Sequence, residues 1–229
     1  MLRLHPCAKP WQVKLANRLM PDYVDPGYVY DDLLHKYAPL SKTWIDAGCG
    51  DNSDIKQMPE YQGLAVGFDL EDRKQEKYLR ADIHHIPLKN NSVDLISSRW
   101  VAEHLEIPEK ALKELHRVLK PGGRLLIRTT GKWHYISLFS RFAPMPLKRF
   151  LSPAPVFPTF FRLNDQTAFQ RYFSETSGWR MEKIHYIENL QYGNPIGFVF
   201  SLLYHMTVTC LKLDRLKTTI ILEIVKIQS

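Results

Sequence analysis

The sequence predicts an α/β fold built on one doubly wound, mostly parallel sheet, and three observations carry that expectation. Short apolar runs recur at 43–47, 64–69, 78–82, 92–97 and 124–129, separated by helical or compact stretches; the first runs straight into a Gly-x-Gly turn; the second ends on Asp69. Short buried strands alternating with crossovers make a parallel sheet with both faces covered. A chain of 229 residues, 45% hydrophobic and 24% charged, has the material for one such core, so 1–229 is expected to form a single domain.

Taken in chain order, residues 1–42 are expected to form an N-terminal helical segment. Pro6, Lys9 and Pro10 interrupt it before any apolar run reaches the length of a signal peptide, so no secretory leader is expected. Cys7, Cys49 and Cys210 lie far apart with no CxxC pair, which indicates neither a disulfide framework nor a cysteine zinc site, and a reducing, cytoplasmic setting is the expectation. The best helix is 108–120, where Ala111, Leu112, Leu115, Val118 and Leu119 make an apolar stripe, Pro108 suits the first helical position and Pro121-Gly122-Gly123 marks the stop. Residues 144–158 hold five prolines and are expected to loop, within a lid or acceptor insertion at 131–163. A second helix is expected at 166–177, and strands at 179–186 and 218–227 close the chain around a second insertion, 188–217. The uncharged stretch 189–211 carries Gln191, Asn194, Pro195 and His205, and its dense apolar part falls short of the roughly 20 residues of a bilayer crossing, so it reads as a core or interfacial segment.

The chemistry begins at Asp46-Ala47-Gly48-Cys49-Gly50. Two residues without a Cβ let the backbone turn sharply and a ligand approach closely, at the strand end where open α/β sheets bind ligands. Asp69, at the end of the next strand, places a carboxylate that can accept both ribose hydroxyls of a nucleoside. The same pair of features suits dinucleotide enzymes, but their third glycine falls at Ser53, and no GxxxxGK[ST] string is present.

Two further segments decide the matter: Ala81-Asp82-Ile83 followed by Val93-Asp94-Leu95-Ile96, and Arg117-Val118-Leu119-Lys120-Pro121-Gly122-Gly123-Arg124-Leu125. With the Gly-x-Gly turn and Asp69 they resemble the class I S-adenosylmethionine-dependent methyltransferases, in particular the small-molecule group called methyltransferase domain 11, closely over 43–130 and in general layout over 164–227. The resemblance implies a Rossmann-like, seven-stranded sheet with an antiparallel last strand and helices on both faces. It implies S-adenosylmethionine as cofactor, with Asp46, Gly48 and Gly50 beneath its methionine part, Asp69 on the ribose, Asp82 and Ile83 at the adenine and Ser98, with Arg99 and Trp100, beside the sulfonium methyl. Asp94 is read as strand architecture. Two departures stand out: Asn52 where the family often has a third glycine, and a short 69–82 interval with room for only a clipped helix. Asn tolerates left-handed backbone, so the turn survives.

Methyl transfer asks mainly for alignment, and a hydroxyl acceptor also gains from a general base. His134, after the fifth strand, and His104 are the candidates, each set against a packing or surface role. His84 and His85 are adjacent and offer no third ligand, so no metal site is expected; Cys49 is read as packing, and Tyr28 and Tyr30 as core with a weaker reading as cofactor cover.

Charge and aromatics frame the acceptor. The formal net charge is +7, and 115–164 contains nine Lys and Arg and no Asp or Glu. Lys132, Trp133, Tyr135, Phe139, Arg141, Phe142, Lys148, Arg149 and Phe150 combine bulky apolar groups with positive charge, as an interfacial surface does. The expectation is a small-molecule acceptor, lipid-linked or quinone-like, with peripheral membrane contact, against a plain aromatic lid over a soluble acceptor. A nucleic-acid methyltransferase is the nearest rival enzyme, but Ser97-Ser98-Arg99-Trp100 stands where amino-methylating base enzymes carry Asn/Asp-Pro-Pro-Tyr/Phe, and nucleic acid is not the expected partner. A non-catalytic cofactor-binding or membrane-surface module is the rival from another class.

Overall fold

The computed structural model describes residues 3–144 and 157–227. The sheet-forming strands are β1 (Thr43–Ala47), β2 (Leu64–Asp69), β3 (Tyr78–Arg80), β4 (Val93–Arg99), β5 (Leu119–Thr130), β6 (Trp179–Ile187) and β7 (Thr219–Lys226). They form one seven-stranded sheet in the order β3-β2-β1-β4-β5-β7-β6. β1 to β5 pair in parallel and β7 runs antiparallel to both β5 and β6, as the sequence led us to expect. Among the described residues the helices are α1 (Pro10–Leu19), α2 (Pro26–Tyr37), α3 (Ser53–Lys56), α4 (Pro108–Val118), α5 (Tyr135–Phe142), α6 (Gln166–Tyr172) and α7 (Pro195–Cys210).

Alternation along the strands assigns the two faces. Ile45, Ile96, Leu125 and Ile127 pack with Ala111, Leu112 and Leu115 of α4 and Phe169 of α6. Their chain neighbours Trp44, Leu95 and Leu126 point the other way and pack with Tyr30, Leu33, Leu34 and Tyr37 of α2. That second face explains the N-terminal segment: α3 is a single turn and 70–77 holds no helix at all, so the crossovers around β2 leave apolar sheet uncovered and α2 covers it. The clipped helix expected in the 69–82 interval is therefore absent. α1 and α7 form a third cluster through Ala16, Met20, Phe198 and Leu202.

Several boundaries differ from the sequence expectation; the helix expected at 166–177 ends at Tyr172 and is followed by a separate 3-10 turn, Glu175–Ser177. α4 ends at Val118 because Leu119 is already extended and pairs with Val93, so the Pro121-Gly122-Gly123 segment lies inside β5, beside an irregularity in its register with β4. Strand β3 stops at Arg80, since Asp82 turns back to bridge His85. Asp94 ties strand ends together, accepting from Lys42 N at 3.1 Å, Thr43 N at 2.9 Å and Lys120 Nζ at 2.7 Å.

Candidate active site

β1 carries Asp46 into the turn at the carboxyl edge of the sheet. Gly48 and Gly50 both take positive φ, +74° and +53°, which an L side chain adopts at a cost. The two have different reasons to be glycine. A Cβ on Gly48 would lie 2.2 Å from Val101 Cγ2, whereas one on Gly50 would meet nothing within 4 Å and would project into open space. The amides of Gly48 and Cys49 donate to Phe68 O at 2.8 and 3.0 Å, fixing the turn to β2.

Asn52 sits at φ +61°, and its side-chain amide donates to Glu76 O and Lys77 O, both at 3.2 Å. The asparagine thus fastens the turn to the short loop that replaces the usual crossover helix. Sequence reasoning missed its companion, Gly67: a Cβ there would lie 2.2 Å from Asn52 Oδ1 and 2.7 Å from Cys49 Sγ. The Cys49 thiol is pushed up to about 12, by burial first and by Asp46 second, which suits packing and not nucleophilic attack.

Asp69 closes the other wall. Its Oδ2 accepts from Gly50 N at 2.9 Å and its Oδ1 from Leu70 N at 2.7 Å, so the carboxylate is pinned while lone pairs remain for further donors. Asp82 Oδ1 accepts from His84 N at 2.9 Å and lies 2.7 Å from His84 Nδ1. Burial works to raise the Asp82 carboxyl, but these His84 contacts outweigh it and hold the group below the usual carboxylate value.

These groups surround one cavity of about 470 Å³, within the ~300–1,000 Å³ of small-molecule sites. Gly48, Gly50, Asp69, Asp82, Ile83, Trp100 and His104 line it, together with Phe68, Val101, Leu105, Phe157 and Phe160, which the sequence reading did not single out. His104 Nδ1 lies 2.6 Å from the Pro158 carbonyl, which only an N–H can satisfy, so in the neutral ring the lone pair falls on Nε2. The preceding Glu103 fixes this presentation: it is 5% exposed, its carboxylate accepts from Thr129 Oγ1 at 2.9 Å and Thr130 Oγ1 at 3.1 Å, and its carbonyl accepts from Phe160 N at 2.8 Å. Burial raises the Glu103 carboxyl, a perturbation that pattern reading along the chain had no means to register.

Three expected site residues are not on the cavity wall. His134 is fully buried; its Nε2 lies 3.1 Å from both Glu188 Oε1 and Thr218 Oγ1, and its Nδ1 accepts from Ile136 N as the cap of α5. It is a packing histidine, because the chain after β5 turns inward to start a helix. Ser98 is buried and its hydroxyl donates to Ala47 O at 3.1 Å, so within Ser98-Arg99-Trp100 it is Trp100, at φ +60° with Arg128 over its ring, that lines the cavity. Asp46 lies beneath the glycine turn, accepting from Ser97 Oγ at 2.8 Å, and the Trp44 indole donates to the same hydroxyl at 2.8 Å. Burial, and after it the Asp54 carboxylate, push Asp46 up to about 8. Arg99 answers this carboxylate cluster, 2.8 Å from Asp54 and 2.7 Å from Asp31, with its guanidinium over the ring of the fully buried Tyr30. Tyr30 is core, and Tyr28 lies outside, beneath Arg3. The cavity draws on 157–160 from the first insertion and, among the described residues, on nothing from 188–217; Lys148, Arg149 and Phe150 fall outside the described residues.

A methyltransferase-domain family model matches residues 45–127, the stretch from β1 through the turn, Asp69 and Asp82 to β5. Over that stretch the chain carries a methyltransferase domain, similar to those of the class I S-adenosylmethionine-dependent methyltransferases. Over 133 residues it is 30% identical to a Mycolicibacterium smegmatis protein named a probable S-adenosylmethionine-dependent methyltransferase, a match covering 51% of each chain. A demethylmenaquinone methyltransferase of Chlamydia muridarum is 46% identical over 99 residues, covering 43% of this chain and 38% of that one. The chain thus spans about half or less of these relatives' lengths. An S-adenosylmethionine-dependent methyltransferase of Archaeoglobus fulgidus shares the fold, with a TM-score of 0.55 over 94% of this chain and 99% of that one at 16% identity.

The cavity fits the family's cofactor on its own evidence. The Gly50 position faces open space where a Cβ would intrude, Asp69 is pinned with acceptor capacity to spare, and Ile83 and Asp82 stand at the far wall. Beneath the turn, Arg99 pairs with both Asp31 and Asp54.

Proposed function

We propose that this protein transfers the methyl group of S-adenosylmethionine to a small, largely apolar acceptor entering beside His104, Phe157 and Phe160. The observation that carries this reading is the single cavity that joins a nucleoside-type end, with Gly50, Asp69 and Asp82, to an aromatic end holding one histidine with a free ring nitrogen. The cofactor supplies an electrophilic methyl on its sulfonium. Asp69 would hold the ribose hydroxyls, Asp82 and Ile83 the adenine, and the Gly48–Gly50 turn the methionine part. The protein's own contribution is alignment and exclusion of water by Phe68, Val101 and Leu105. Where the acceptor is a hydroxyl, His104 Nε2 is the group that takes its proton, with the Pro158 carbonyl holding the Nδ1 proton and so the tautomer.

On this reading 131–163 contributes the aromatic wall, through 157–160, and 188–217 is a peripheral element of the same domain. The basic, aromatic character of the first insertion supports an acceptor with an apolar body and an anionic or quinone-like head. The test is incubation with S-adenosylmethionine carrying a tritiated methyl and separate apolar and polar cell extracts. Label entering an organic-phase product supports the proposal. Label entering only the polar extract removes the apolar acceptor, and label entering neither, with cofactor bound, favours the non-catalytic module.

A further inference from the structure

Three helices at the carboxyl edge of the sheet present apolar residues outward. α5 leaves β5 just beyond Thr130, and α7 lies between Ile187 of β6 and Thr219 of β7; Thr130 and Ile187 both pair with Thr219, so the two helices spring from one corner. They touch through Tyr135, whose ring centroid lies 5.4 Å from that of Phe200 and 5.1 Å from that of Tyr204. On the other flank of α7, Trp11 of α1 meets Phe198 edge-on at 5.3 Å.

The outward stripe of α7 is Ile196, Val199, Phe200 and Leu203, at helical spacing, while Phe198, Ser201, Leu202 and Val208 are buried. Ile196 is 85% exposed and Phe200 54%. α5 adds Ile136, Phe139 and Phe142, the last 76% exposed. A single exposed leucine needs no reason, but two adjoining helix stripes of exposed phenylalanine, leucine and isoleucine do.

Charge names the partner. α1, α5 and α7 hold Lys14, Arg18 and Arg141 and no Asp or Glu, and 189–211 holds no charged residue at all. Trp11, Lys14 and Arg18 share one stripe of α1, so an exposed indole and two cations flank the apolar centre on one side, with Arg141 on the other, beside the Phe142 ring. An apolar centre on helices that carry cations and no carboxylate complements a surface of acyl chains and anionic headgroups, with Asp22, in the groove beside the carboxyl end of α7, the exception at the rim. A second copy of the chain is the poorer match, because a two-fold interface pairs the patch with itself and these helices supply no carboxylate to meet their own cations.

We propose that the outward stripes of α1, α5 and α7 form a docking surface for an anionic lipid bilayer, which holds the carboxyl edge of the sheet against the membrane. The surface extends the proposed function, by placing an apolar acceptor within reach of the cavity, but it stands on different residues and is measured without cofactor.

Sedimentation with vesicles of phosphatidylcholine, alone or with one third phosphatidylglycerol, tests it. The wild type partitions onto the anionic vesicles and at least about tenfold more weakly onto the neutral ones. Lys14→Ser, Arg18→Ser and Arg141→Ser together lower anionic partitioning by about a hundredfold, on the usual contribution of each basic residue at such a surface. Phe200→Glu with Leu203→Glu abolishes it, with circular dichroism confirming the fold; should that pair not fold, the basic variant alone decides. No partitioning by the wild type, equal partitioning onto both vesicles, or light scattering that shows a dimer dissolved by Phe200→Glu overturns the proposal. Loss of S-adenosylmethionine binding with vesicle binding intact overturns the proposed activity and leaves the docking surface standing.

Discussion

Replacing each glycine of the turn by alanine separates its structural from its ligand-facing role. At Gly48 the new methyl takes a φ of +74° and a position 2.2 Å from Val101 Cγ2. The left-handed conformation costs about 1–2 kcal/mol and the overpacking about 1–3 kcal/mol, and Val101 has limited room to yield because a β-branched side chain is stiff at χ1. A total of ~2–5 kcal/mol corresponds to a fall in Tm of ~4–20 °C for a chain of this size. At Gly50 the same methyl meets nothing within 4 Å, so only the φ of +53° counts and Tm falls by ~2–8 °C. That methyl instead enters the space beside Asp69, and cofactor affinity drops by at least about tenfold. Differential scanning calorimetry gives the first quantity and titration calorimetry with S-adenosylhomocysteine the second. Gly50→Ala that binds like the wild type, or Gly48→Ala with an unchanged Tm, refutes the reasoning.

Other substitutions probe the groups behind and beside the turn. Asp46 titrates at about 8 in the folded chain against 3.8 as a free side chain, so folding favours its neutral form; that stability is complete below pH ~4 and is lost as pH rises towards 8. Asp46→Asn should flatten the fall of Tm over that window, where each pH unit carries at most about 1.4 kcal/mol, and an unchanged slope contradicts the assignment. His104→Gln should leave cofactor affinity within threefold while lowering kcat for a hydroxyl acceptor by ~10²–10⁴; an equal loss with an amine acceptor argues against a proton-transfer role. Trp44→Phe removes both the donor to Ser97 and the second ring of a fully buried indole, so a loss of about 2–4 kcal/mol in urea unfolding is expected, and an unchanged stability contradicts this packing.

What the sequence made legible was local and periodic. Thr43–Ala47 and Leu64–Asp69 are strands because their apolar runs are short and bounded by turn residues, and the Gly-x-Gly turn with Asp69 and Asp82 follows from spacing. What escaped depends on contacts between distant segments. Nothing local shows that α2 must cover the face left bare by the missing crossover helix, or that Leu119 will pair with Val93 and draw 119–123 into β5. His104 and His134 look alike along the chain; one is turned to the cavity by Glu103 and Pro158, the other drawn inward onto Glu188 and Thr218. Gly67 carries no motif, and its need for hydrogen alone arises from Asn52 and Cys49 in the neighbouring turn. Nothing along 188–217 says which way its aromatic and aliphatic residues face; Tyr192, Phe198 and Leu202 pack with α1, and Ile196, Phe200 and Leu203 face outward.

Titration calorimetry of S-adenosylmethionine and S-adenosylhomocysteine against the wild type and Asp69→Ala, with NADH as a control, tests the central claim most directly. The structure predicts binding of both sulfur compounds in the micromolar range, at least about tenfold weaker in Asp69→Ala, and no binding of NADH. Binding of NADH alone, or S-adenosylmethionine affinity indifferent to Asp69, would contradict the account.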